Sequence, residues 1–237
     1  MILSYFDNYE AMSQQAGELL AAEIIEQKNL LLCAATGRSP EGAYKELVRR
    51  SIESDIDVKQ LRLIKLDEWG GIPHNHPVSC EYFLKHHLLD PLGIPEKNYI
   101  SFASDPFDLQ EECNRIRLEL ESQGPIDLSI LGLGTNGHLG LNEPGPSLET
   151  HCHKARLSKE TLQHQMIASL KQKPEYGLTL GMMELLSSKK VILLITGQNK
   201  GEVIERLLTK KISSDLPASL LWLHKDVECM IDSSSLT

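Results

Sequence analysis

Residues 127–144 read DLSILGLGTNGHLGLNEP, and their reading decides the fold. The run 128–133 is short and apolar, as a buried strand is, and Gly132, Gly134 and Gly137 allow the tight backbone that follows it. His138 and Glu143 then stand at the carboxyl end of that strand. In open α/β sheets a ligand binds just outside that edge. Taken alone, such a string is more simply a glycine-rich turn with a structural histidine. A second acidic site and a phosphate-type loop elsewhere in the chain turn the reading toward an enzyme.

Working outward, the segment 8–27 carries Met12, Ala16, Leu19, Leu20 and Ile24 at helical spacing, with Asp7 or Asn8 as its cap. A strand over 29–35 runs into the turn TGRSP at 36–40, and a helix follows over 41–50. The strand 61–66 stops at DEWGG, 67–71. Helices are expected over 79–90 and 109–122. An irregular region spans 134–158, with helices near 159–171 and 179–187 beyond it. A strand over 191–196, a turn over 197–200, a helix over 201–208 and a last strand over 219–223 complete the chain. Strands alternating with helices imply βαβ units, hence an α/β fold with a mostly parallel sheet and helices on both faces. No repeat, linker or shift of composition divides residues 1–237, so a single domain is expected.

Hydrophobic residues make up 41% and charged residues 24% of the 237, ordinary for a globular protein that buries a full core. The net charge of −9 argues against nucleic acid, which needs a basic face. No apolar segment approaches the roughly 20 residues that cross a bilayer, so no membrane partner is expected. The N-terminus lacks a basic segment followed by an apolar one. Five cysteines, odd in number and without CxxC spacing, suit a reduced, cytoplasmic protein, with Cys33 as a small core residue. Homo-oligomerisation is left open.

Three strand ends converge if the sheet is parallel. Thr36, Gly37, Arg38 and Ser39 bring backbone N–H groups, two hydroxyls and a guanidinium to a helix start, which makes an anion cradle. Lys200, on another turn, adds a point charge. Asp67 and Glu68 follow a strand directly, where partial burial raises a carboxyl pKa into the range useful for proton abstraction. Asp67 takes the catalytic role, and Glu68 is left open between a catalytic group and a cap. His138, Asn136 and Glu143 form the third element, a histidine with an acceptor to fix its tautomer. The pairs His74/His76, His86/His87 and His151/His153 match no zinc spacing, so they read as loop histidines and no metal is expected.

At these residues the chain resembles the glucosamine-6-phosphate deaminase/6-phosphogluconolactonase superfamily over essentially its whole length. The matching stretches are ATGRSPEGAYKELV (35–48), IKLDEWGGIPHNHPVSCEYF (64–83), ILGLGTNGHLGLNEPG (130–145), PEYGLTLGM (174–182) and LITGQNKG (194–201). The resemblance implies a modified Rossmann-like fold, a small sugar-phosphate substrate and no cofactor. The NEP ending is similar to the aminosugar deaminases, whereas the lactonases carry Asp-Glu-Arg where this chain has Asp67, Glu68 and Trp69. DEWGG, LSKETLQHQM (157–166) and PASLLWLHKD (217–226) are most similar to the galactosamine-6-phosphate isomerase branch. The implied roles are a C2 base for Asp67, ring opening for His138, support of that histidine for Glu143, and phosphate binding for Thr36, Gly37, Arg38, Ser39 and Lys200. Two positions depart from the family. Asn136 replaces the usual Asp, keeping an acceptor for the imidazole but no charge. His164 falls by spacing where a phosphate-contacting arginine is expected. The resemblance thus implies deamination of galactosamine 6-phosphate to tagatose 6-phosphate. Glucosamine-6-phosphate deamination, lactone hydrolysis and a catalytically weak sugar-phosphate sensor are the alternatives.

Overall fold

The computed structural model describes residues 1–236. In chain order, β1 (Ile2–Phe6) leads to α1 (Tyr9–Glu26), and β2 (Leu31–Ala34) to α2 (Arg38–Glu53). Next, β3 (Arg62–Lys65) passes through Leu66 into β4 (Asp67–Trp69). A longer helical stretch follows, made of α3 (Cys80–Leu84), a π-helical segment (Lys85–Leu89) and α4 (Asp90–Leu92). Then come β5 (Tyr99–Ile100), α5 (Leu109–Gln123), β6 (Leu128–Gly132), β7 (His153–Ala155) and β8 (Gly177–Thr179). The chain closes with α6 (Met182–Leu186), β9 (Lys190–Ile195), α7 (Gly201–Leu208) and β10 (Val227–Asp232). Three helices start where a side-chain oxygen meets their free N–H groups. Asn8 Oδ1 accepts from Ala11 N at 2.9 Å, Ser79 Oγ from Tyr82 N at 3.0 Å, and Asp108 Oδ1 from Gln110 N at 2.7 Å.

Seven strands form one sheet in the order β1-β10-β9-β6-β2-β3-β5, and every pairing in it is parallel. Its central strands are buried on both faces, as a sheet with helices on each side requires. Alternate residues of β2 show the two faces. Leu32 and Ala34 pack with Met12, Leu20, Tyr44 and Leu47 of α1 and α2. Leu31 and Cys33 pack with Ile116 of α5 and Leu207 of α7 on the other side. From β2 the chain steps outward to β3, whereas β6 lies on the opposite flank of β2. The strand order therefore reverses between β2 and β6, the switch point where such sheets bind ligands.

A second sheet, β4-β8-β7, is antiparallel and pairs Asp67 with Thr179 and Trp69 with Gly177. Leu66 is the single residue between the two sheets on the β3–β4 path, so the strand that ends one sheet starts the other. What reads as a turn after residue 66 is thus a three-residue strand.

Three expectations need correction. The helix over 159–171 is replaced by two short 3₁₀ turns, Thr161–Gln163 and Gln165–Ile167. His164 lies between them with ψ 137°, outside the helical range, and caps the second turn by accepting from Met166 N at 3.3 Å. The stretch 219–223 is no strand. Pro217 fixes φ at the start of a 3₁₀ helix over Pro217–Leu223 that buries Ala218 and Leu221. The closing strand is β10, eight residues later, because a short apolar run has no period of its own to tell strand from helix. The expected helix over 179–187 shortens to α6, since Thr179 already belongs to β8. β1, β5 and β7 were not foreseen; β1 is an edge strand with exposed Ile2 and Tyr5, and the other two have only two and three residues.

Candidate active site

A pocket of about 620 Å³ opens over the carboxyl ends of β2, β3, β6 and β9. Thr36, Arg38, Ser39, Asp67, His138, His164 and Lys200 all line it. Residues scattered over more than 160 positions of sequence therefore meet because parallel strands bring their ends to one edge.

The loop after β2 makes the anion cradle. Gly37 takes φ +97°, a conformation that side chains rarely adopt, and as the N-cap of α2 it offers no side chain to the first N–H groups of the helix. Tyr9 braces that first turn, its Oη donating to Arg38 O at 2.7 Å and accepting from Gly42 N at 2.8 Å. The Arg38 guanidinium lies over the Tyr9 ring, 5.7 Å from its centroid. From the β9 turn, Lys200 reaches in and donates to the Leu133 carbonyl. Burial pushes its ammonium down to about 8. His164 completes the cradle. Its ring edge lies 3.5–3.7 Å from where a Cβ on Gly37 would stand, so Gly37 gives it room. Burial, aided by the fields of His138 and Lys200, lowers the imidazole to about 4, so it is neutral at pH 7. With Nδ1 accepting from Met166 N, the ring proton sits on Nε2 and is free to donate.

Asp67 and Glu68 separate into different tasks. Asp67 is 8% exposed and lines the pocket. Burial first, then the neighbouring charge of Glu68, raises its carboxyl to about 7, against the pull of Cys80 and Lys65. Glu68 is fully buried beneath it and accepts from the backbone N–H groups of Trp69, Cys80 and Glu81, each at 2.9 Å. Lys65 Nζ donates to Glu68 Oε2 at 2.7 Å and to Glu81 Oε2 at 2.8 Å. Burial opposes the Lys65 charge, but the two carboxylates outweigh it and raise its pKa. Glu68 therefore ties β4 to the start of α3, the capping alternative left open by the sequence. Together with His74 it also has the spacing of a metal-ligand group with Glu81, but Lys65 already occupies both carboxylates.

Gly134 lets His138 fold over its own loop, for a Cβ there would meet the imidazole at 2.5 Å. His138 Nδ1 lies 3.3 Å from Thr161 Oγ1 and 3.6 Å from Glu143 Oε2. The Thr161 hydroxyl also makes a very short contact with Glu143 Oε1. A hydroxyl has one proton. If it donates to the carboxylate, it accepts from Nδ1–H, and in the neutral ring Nε2 is then the nitrogen without a proton. Burial works against the Glu143 charge, yet His138, Thr161 and Asn136 more than offset it and hold the carboxyl at about 2.

The expectation for Asn136 is corrected here. Its amide donates to Glu143 Oε2 at 2.9 Å and to Ser158 Oγ at 3.3 Å, while its Oδ1 accepts from the His138 backbone N–H at 3.2 Å. It braces Glu143 and the loop, and makes no hydrogen bond to the imidazole. Asn136 and Glu143 stand behind His138 and do not line the pocket. Thr161, Ser158, Tyr9 and Cys80 were missed by the sequence reading. The i, i+3 pair Ser158/Thr161, a local capping spacing, is the one signal that pointed to any of them.

The chain is also similar to known proteins. Residues 7–230 match the family model described as glucosamine-6-phosphate isomerases/6-phosphogluconolactonase. AgaI of Escherichia coli (strain K12), provisionally named a deaminase, is 42% identical over 98% of this chain and 92% of its own length. The glucosamine-6-phosphate deaminase of Thermoanaerobacter sp. (strain X514) is 36% identical over 96% of this chain and 91% of its own. A solved monomeric glucosamine-6-phosphate deaminase of the NagB superfamily superposes over 100% of both chains, with TM-score 0.93 and 34% identity. The 6-phosphogluconolactonase of Trypanosoma brucei, at 21% identity and TM-score 0.79 over 98% of this chain and 95% of its own, shares the fold.

Proposed function

The chain belongs to the glucosamine-6-phosphate isomerase/6-phosphogluconolactonase family, and on that premise we propose that it converts galactosamine 6-phosphate to tagatose 6-phosphate and ammonia. That it is a deaminating enzyme follows from its close relatives. The galacto substrate is the finer part of the proposal, supported by the DEWGG, LSKETLQHQM and PASLLWLHKD stretches. The observation that carries the mechanism is one pocket lined by a buried carboxyl with its pKa near 7, a histidine whose Nδ1 lies against Thr161 and Glu143, and an anion cradle.

The phosphate rests on the first N–H groups of α2, with Arg38, Ser39, Lys200 and the His164 Nε2–H as further donors. His138 Nε2 takes the O1 proton and returns it to the ring oxygen, which opens the sugar. Glu143, ionised throughout, stabilises the transient imidazolium. Asp67 then removes the C2 proton and delivers it to C1 of the enolamine. The resulting C2 imine takes up water and loses ammonia, so substrate plus water balances ketose plus ammonia. A carboxyl poised near neutrality can both accept and return that proton.

The identity of about a third with named glucosamine-6-phosphate deaminases favours glucosamine 6-phosphate as a second reading. In either case Asp67→Asn is expected to cut kcat for ammonia release by at least about 10³-fold with KM changed less than threefold. Near-normal kcat in that variant would contradict the assignment of the base.

A further inference from the structure

One buried side chain outside the groups assigned above touches the base directly. Cys80 opens α3 and is 1% exposed, and its Sγ lies 3.7 Å from Asp67 Oδ1. On its other side, the Thr36 hydroxyl of the anion cradle lies 3.3 Å from the same sulfur. A thiol has one proton to give and lone pairs to accept with, so one orientation satisfies both contacts. Thr36 donates to the sulfur, and the sulfur donates to Asp67. The backbone beneath is fixed independently, since Cys80 N donates to Glu68 Oε1 at 2.9 Å and Ser79 caps the helix.

We propose that Cys80 is a positioning residue for proton transfer at C2, its S–H orienting the Asp67 carboxylate and joining it to the phosphate loop through Thr36. This rests on the reading of Asp67 as the base. Among the described residues the thiol is the one side-chain donor recorded on that carboxylate. The other groups facing Asp67 act through space. Glu68 on β4 disfavours its charge and Lys65 on β3 favours it. Cys33 on β2 and Tyr44 on α2 are buried and stay neutral, because burial raises both. β8 presents the uncharged Thr179 opposite, and Arg38, His138 and Lys200 stand on the pocket walls. The thiol also stays protonated, chiefly through burial, and so remains a donor across the working pH range.

The test is kcat/KM for ammonia release against pH, from about 5.5 to 9, in wild type, Cys80→Ala and Cys80→Ser, with whichever aminosugar phosphate turns over faster. Without a donor, Asp67 should hold its proton more tightly. The midpoint of the acid limb is expected to rise by about one pH unit in Cys80→Ala, a roughly tenfold loss below neutrality that fades above pH 8. Cys80→Ser, which restores a donor, should recover at least half of the displacement. A uniform loss at every pH with the midpoint unmoved, or a serine variant displaced as far as the alanine one, would overturn the proposal. Should the alanine variant not fold, Cys80→Val fills the space without a donor and carries the same expectation. Full turnover in Asp67→Asn would instead defeat the reading of the base itself.

Discussion

A carboxyl group sealed under a pocket beside a second carboxylate resists ionisation, and Asp67 shows what that costs the protein. Its folded pKa stands at about 7 against 3.8 for the free side chain. The folded state therefore binds the proton more tightly than the unfolded chain does. The stability this group contributes is whole below pH 3.8, declines as pH rises, and is gone above about 7. The difference is on the order of 4 kcal/mol. Asp67→Asn removes the ionisation, so its melting temperature should exceed that of wild type by a margin that widens from pH 5 to pH 8. A margin constant with pH would mean that Asp67 is not held neutral by burial. Asp67 and His138 were legible in the sequence because the first directly follows an apolar strand and the second stands in the glycine-rich loop after one. Their supports were less so. Thr161 comes 23 residues after His138, inside a segment that reads as a helix, and Cys80 falls at the start of the helix expected over 79–90 with nothing to mark it. Asn136 was placed in the correct loop but given the wrong partner, since nothing in a sequence tells which neighbour each end of an amide faces.

At the scale of elements, the site depends on strand ends and one helix start. Lys200 precedes α7 on the β9 turn, and its ammonium is held near 8 by burial. The cradle on α2 must therefore lose a charge as pH passes that value. Inorganic phosphate should inhibit competitively, with an inhibition constant that climbs between pH 7.5 and 9.5 by no more than tenfold per pH unit. In Lys200→Met the constant should be higher at pH 7.5 and nearly level above it. The same slope in wild type and variant would remove Lys200 from the anion site. The elements read correctly from sequence include α1, with its helical spacing and the Asn8 cap, and the apolar strands β2, β3, β6 and β9. The failures have physical causes. β4 is too short for alternation to show, and its strand character comes from pairing with β8, more than 100 residues away. The 217–223 run is apolar because it packs against α7, with Trp222 Nε1 donating to Leu207 O at 2.8 Å, and that burial says nothing about its backbone.

For the whole molecule, the two sheets share one core. Leu178 and Leu180, in and just after β8, pack in the same cluster as Leu131, Leu193 and Ile231 of the parallel sheet. That shared packing fixes β4, and with it Asp67, relative to the loops of β2, β6 and β9. The parallel architecture and its ligand edge were legible from strand–helix alternation and from the glycine-rich loop at 132–137. The small sheet was not, because it is assembled from three-residue pieces far apart in sequence. It is also the part that turns a generic ligand edge into a site with a buried base. Whether that site performs deamination, and on which sugar, is decided by ammonia release from galactosamine 6-phosphate and glucosamine 6-phosphate, side by side, with the purified protein. The account predicts stoichiometric ammonia and ketohexose 6-phosphate, formed with the higher kcat/KM from the galacto sugar. Preference for the gluco sugar would overturn the substrate assignment, and no ammonia from either would contradict the account at its centre.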